Sequence, residues 1–74
     1  MTEEQAHDII RQLAAAQSRE ELQRLMGRYI SVCDDVFFSV LGDVVEQRRS
    51  EGDELNARKL QEMGNAMARL RFMI

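Results

Sequence analysis

Apolar residues recur three and four positions apart in four separate stripes, and no proline interrupts any of them. That spacing is the period of an α-helix with one buried face. Ala6, Ile9, Ile10, Leu13 and Ala14 make the first stripe, and Leu22, Leu25, Met26, Tyr29 and Ile30 the second. Val36, Phe37, Val40, Leu41, Val44 and Val45 make the third, with the largest side chains. Leu60, Met63, Gly64, Met67 and Leu70 make the fourth. The strict alternation of a half-buried strand appears nowhere. The β-prone pairs Phe37-Phe38 and Val44-Val45 sit inside the three-and-four pattern. Abundant Ala, Glu, Gln, Arg, Leu and Met favour the same conformation. The chain is expected to be all-α.

Start and stop signals divide the stripes. Thr2 with Gln5 and Ser18 with Glu21 have the spacing of capping boxes, in which a hydroxyl and an N3 side chain satisfy orphan amide groups reciprocally. Ser31 with Asp34 is a third candidate, and Asp34 is an alternative cap in its own right. Gly52-Asp53 is the sharpest break: glycine closes a helix in the left-handed conformation and aspartate caps the next. The expected helices are 3–16, 19–30, 34–51 and 54–71. Their short connections predict two antiparallel helical hairpins in a single domain spanning 1–74. Gly64 falls on the fourth stripe, where a neighbouring helix backbone is expected to approach closely.

Composition bounds the function. At 74 residues, a core rarely supplies more than about 3–5 kcal/mol without a staple or a partner. Net charge is −3, which argues against an electrostatic nucleic-acid binder. A single cysteine excludes an internal disulfide, and a single histidine beside it argues against a zinc site. No apolar run approaches the ~20 residues of a membrane span, and no signal peptide is visible, so the expected location is the cytoplasm.

The segment from Gly52 to Arg71 resembles the first helix of a tetratricopeptide repeat. The residues that carry the likeness are Gly52-Asp53, Ala57, Leu60, Met63-Gly64 and Met67. The stretch from Asp35 to Glu51 looks like the second helix of a preceding repeat. Ser18 to Arg71 is also similar to helical modules that flank caspase-like CHAT domains in bacterial proteins, through Glu21-Leu22, Phe37 to Val45, Gly52-Asp53, Ala57, Leu60 and Leu70-Arg71. The resemblance implies tetratricopeptide-like packing and a role in binding other proteins. It implies no peptidase activity, because no catalytic domain accompanies the helices. The chain departs from the repeat in having Leu60 near the place of a large aromatic residue.

Few residues carry chemistry. His7 and Cys33 could form a thiolate–imidazole pair only if the fold brought them together, and no third residue is placed to orient the histidine. Asp34, Asp35, Asp43, Glu46 and Glu51 make the third helix acidic, but the Glu-x-x-His elements of a di-metal bundle are absent. No glycine-rich phosphate loop occurs. No catalytic residue, cofactor, metal or small-molecule substrate is expected.

The remaining signal is adhesive. Met26, Met63, Met67 and Met73 are soft, adaptable side chains, and the chain ends in Phe72, Met73 and Ile74. The expected function is a non-catalytic adaptor that self-associates, as a homodimer, or docks a protein partner. Its expected contact surface is Leu60, Met63, Met67, Leu70, Phe72, Met73 and Ile74, left uncovered because no helix follows the fourth. The alternative is a small dimeric nucleic-acid-binding regulator using Arg48, Arg49, Arg58, Lys59, Arg69 and Arg71.

Overall fold

The computed structural model describes residues 1–73, and side chains through residue 72. Among these residues there are four α-helices and no strand: α1 (Glu3–Ala14), α2 (Arg19–Tyr29), α3 (Asp35–Ser50) and α4 (Glu54–Met73). A single 3₁₀ turn, Ile30–Val32, follows α2. The all-α, four-helix reading holds, with boundaries within two residues of those expected.

Local chemistry accounts for the boundaries. Thr2 Oγ1 accepts from the Gln5 amide at 3.1 Å, and Gln5 Oε1 accepts from the Thr2 amide at 2.9 Å, completing a capping box. Ser18 Oγ caps α2 through the Glu21 amide at 3.1 Å, but Glu21 Oε2 accepts from Gln17 rather than from Ser18 itself. At α3 the cap is Asp34, not Ser31: its Oδ1 accepts from the Phe37 amide at 3.2 Å.

α3 ends as the Gly52-Asp53 signal implies. Gly52 has φ +84°. Its amide donates to Arg49 O at 3.1 Å, and the Asp53 amide donates to Arg48 O at 2.8 Å. These two bonds are a Schellman motif, which satisfies carbonyls the helix leaves unpaired. Asp53 then turns to α4, accepting from the Asn56 amide at 3.3 Å.

α3 is the centre of the bundle. It makes its broadest contact with α4 and the next broadest with α1. Asp35, the first residue of α3, lies 3.5 Å from Arg71 near the end of α4, and Arg49 near the end of α3 reaches Gln61 at 2.8 Å, so α3 and α4 run antiparallel. The expected first hairpin, α1 with α2, is a weaker association. α1 packs more on α3 than on α2, because α2 buries only Met26 while α3 presents the widest apolar face. Tyr29 ties the end of α2 to α1 through its hydroxyl, which donates to Gln12 Oε1 at 2.7 Å.

The core gathers Ala6, Ile9, Ile10 and Leu13 from α1, Met26 and Ile30, then Cys33, then Phe37, Val40, Leu41 and Val45 from α3, and Ala57, Leu60, Met63 and Met67 from α4. Phe37, Leu13 and Met67 are its largest fully buried side chains. The close approach expected at Gly64 is present, but the group that fills it is the Leu41 side chain rather than a backbone.

Candidate interaction surface

The expected contact patch divides once the helices pack. Leu60, Met63 and Met67 point inward and are buried, which corrects the expectation that they face a partner. The reason is that α4 needs no following helix to cover its stripe. α3 covers one flank, the 3₁₀ turn touches another, and Leu60 borders a groove with Ile10 of α1 and Val44 of α3. Leu70 is 38% exposed and lies beside Gln23, Met26 and Gly27 on the α2 side. Phe72 is 91% exposed and lies on the α3 side, with Asp35, Phe38, Ala68 and Arg71. Ile74 lies outside the described residues, as does the side chain of Met73.

Phe72 stands at one end of a long groove between α3 and α4 on the outside of the bundle. From α3 the groove takes Phe38, Leu41, Gly42, Val45, Glu46 and Arg49; from α4 it takes Gln61, Gly64, Asn65 and Ala68. Asp35, Arg71 and Phe72 continue it past Phe38 and Ala68. The floor is apolar because Leu41 and Val45 are core residues seen edge-on, and the rim is polar.

Phe38 organises the open end. Its ring meets Phe37 edge-to-face, with centroids 5.3 Å apart at 83°. The Arg71 guanidinium lies 5.6 Å from the ring centroid, and the same group faces Asp35 Oδ1 at 3.5 Å. Arg71 is thereby held between a carboxylate and an aromatic face, a geometry that suits its planar, weakly hydrated cation. Phe38, Gly42 and the direction of Phe72 were not legible as a surface from spacing alone. The adjacent pair Phe37-Phe38 was the available signal, since two neighbours on a helix cannot both face the core squarely.

The basic residues do not gather on one face. Arg48 and Lys59 border a groove with His7 and Arg11 between α1, α3 and α4. Arg49 and Arg71 border the outer groove, and Arg69 lies beside α2. Arg48 is also 3.8 Å from Glu51, and Arg11 is paired with Asp8.

Cys33 and His7 stand apart. Cys33 is buried just before α3, while His7 lies with Gln47 and Arg48 near the other end of that helix. Burial, with the Asp34 charge adding to it, raises the thiol from 9.0 to about 11, against a smaller opposing effect of Arg71. The sulfur is a neutral packing atom at physiological pH. Asp34 accepts from the chain's amino group at Oδ2. That bond, then the Phe37 amide, holds its carboxyl below the usual range. Asp53 is lowered by its bonds from the Asn56 side chain and backbone. Among the described residues no group of three or more His, Cys, Asp or Glu is placed to hold a metal ion. No helix among them is long and apolar enough to cross a membrane.

Comparison with known protein families, curated proteins and solved structures finds no match for this chain.

Proposed function

We propose that this chain acts by protein–protein contact through the outer α3–α4 groove, as an adaptor or self-associating module with no chemistry of its own. The observation that carries the reading is Phe72, 91% exposed at the open end of a groove that already holds Phe38 and Ala68. A large apolar side chain continuous with an apolar groove is the usual form of an interaction site. The tetratricopeptide-like character of α3 and α4 belongs to the same proposal, as does a cytoplasmic setting. The surface is narrower than the sequence suggests, because Leu60, Met63 and Met67 hold the fold rather than a partner.

Nucleic-acid binding is the weaker reading. It asks for a continuous basic face, and Arg48 with Lys59, Arg49 with Arg71, and Arg69 border three different grooves.

A photoreactive phenylalanine analogue placed at Phe72, with a control at the exposed residue Ser31, tests the proposal in the native host. Covalent adducts of defined mass from position 72 and none from position 31 are expected. Equal labelling from both, or none from 72, overturns it.

A further inference from the structure

Resting on that contact reading, we propose that the occupant of the outer groove is a second copy of this chain. The two copies dock about a twofold axis through Gly42, with α3 antiparallel to its counterpart.

The outward face of α3 carries about one residue per turn: Asp35, Phe38, Gly42, Glu46 and Arg49. A twofold contact uses the same patch on both partners, so the patch must complement its own reverse. This one does. Asp35 and Arg49 lie seven residues to either side of Gly42 and carry opposite charges. Turning one copy end for end about Gly42 sets Asp35 against the partner's Arg49, and Arg49 against the partner's Asp35. Phe38 and Glu46 lie four residues to either side, so the Phe38 ring lies along the methylene stem of the partner's Glu46. Charge pairs of this kind fix register and exclude the parallel arrangement, in which like charges would meet.

Both charges are available for the exchange. The Asp35 side chain is 99% exposed and faces Arg71 at 3.5 Å, so the partner's Arg49 joins that pair from its open side. Arg49 donates to a neutral group, Gln61 Oε1. Gly42 supplies the close approach at the axis. It is exposed in mid-helix, and nothing in its own chain lies within 4 Å of where a Cβ would stand. Glycine there costs helix stability, and the fold of one copy gives no reason for it. Two helices meeting at that point have one, since interaxial distance is set by the side chains at the contact. The same packing covers Phe72, next to Asp35 at the groove's end.

Sedimentation equilibrium on the full chain across the micromolar range, with helicity followed by circular dichroism, tests the arrangement. Wild type is expected at twice 8.6 kDa. Gly42→Arg occupies open space on one copy, so helicity is kept, and the mass falls to 8.6 kDa. Asp35→Arg or Arg49→Asp alone is expected to weaken the dimer about tenfold or more. The double variant Asp35→Arg/Arg49→Asp restores it by exchanging the pairs. A wild-type monomer overturns the proposal, as does a folded Gly42→Arg dimer or a double variant no tighter than the singles. The crosslink at position 72 separates this failure from the broader one. A product at a mass other than twice the chain removes the second copy and leaves protein contact standing. No product at position 72 removes both.

Discussion

Leu41 lays its Cδ2 methyl over Gly64, 2.6 Å from where a Cβ on that residue would stand. Leu41 is 4% exposed, so the methyl has little room to retreat. Two effects oppose each other in Gly64→Ala. Alanine gains about 1 kcal/mol of helix propensity over glycine, and forcing atoms into a packed core costs about 1–3 kcal/mol. The second wins, and Gly64→Ala is expected to destabilise by about 1 kcal/mol. In a Leu41→Ala background the obstruction is gone, and the same substitution should stabilise by about 0.5–1 kcal/mol. Urea unfolding of the four proteins in the cycle checks the change of sign. Equal effects in both backgrounds would show that Leu41 does not set the requirement at Gly64.

That pair also marks the boundary of what spacing reveals. Among signals contained within a few residues, the Thr2–Gln5 box, Asp34 as one of two candidate caps, and the Gly52-Asp53 turn came through intact, while the Ser18–Glu21 box formed only its Ser18 half. Each of the three intact signals is complete within one turn of chain, so no distant contact can override it cheaply. Gly64 was legible as a tight spot, but its occupant was not, because Leu41 reaches it from another helix. The fate of Leu60, Met63 and Met67 depended still more on distant chain. Their stripe identifies a face, and only the packing of α3 and the 3₁₀ turn against α4 decides that the face is closed. Phe38 is the converse case: it packs against the core yet stays only partly buried, which follows from how α3 meets α4 and not from periodicity within either helix, whereas Phe72 was expected at the surface and is exposed.

The central position of α3 predicts a contrast between two valines. Val40 is 5% exposed and Val32 is 53% exposed. Val40→Asp places a carboxylate in the core with no cation to meet it, at a cost on the order of several kcal/mol. A domain this small holds about that much in reserve, so the variant is expected to lose its cooperative thermal transition. Val32→Asp should stay within about 0.5 kcal/mol of wild type. Far-ultraviolet circular dichroism during heating distinguishes them, and a native-like melt for Val40→Asp would refute the packing described.

The turn between α3 and α4 rests on backbone geometry. Gly52 sits at φ +84°, a region where a side chain collides with its own carbonyl. Gly52→Val is expected to cost about 1–2 kcal/mol. Gly52→Asn should cost less, because asparagine enters that region more readily. No neighbouring atom lies within 4 Å of the Cβ position, so any difference between the two reports backbone conformation rather than crowding. Chemical denaturation of both variants gives the ranking; a valine variant as stable as the asparagine one would contradict it.

Stability should fall at both ends of the pH scale, for separate reasons. Asp34 and Asp53 have folded values below the ordinary carboxylate range. The unfolded chain therefore takes up protons first as pH falls. The stabilisation from these carboxylates is present above about pH 4 and is lost as pH drops through their lowered folded values. Asp34→Asn should flatten the acid limb of a plot of melting temperature against pH. Cys33 moves the other way, from 9.0 to about 11 on folding. In the unfolded chain the thiol ionises near its ordinary value, whereas the folded core keeps it neutral. Its contribution is therefore full below pH 9.0 and is lost as pH rises through about 11. Cys33→Ala lowers stability near neutrality by leaving a small void, yet its alkaline limb should be shallower than that of wild type. Parallel limbs for the two proteins between pH 9 and 11 would mean that the thiol ionises equally well folded and unfolded, and would contradict the shift ascribed to its burial beside Asp34.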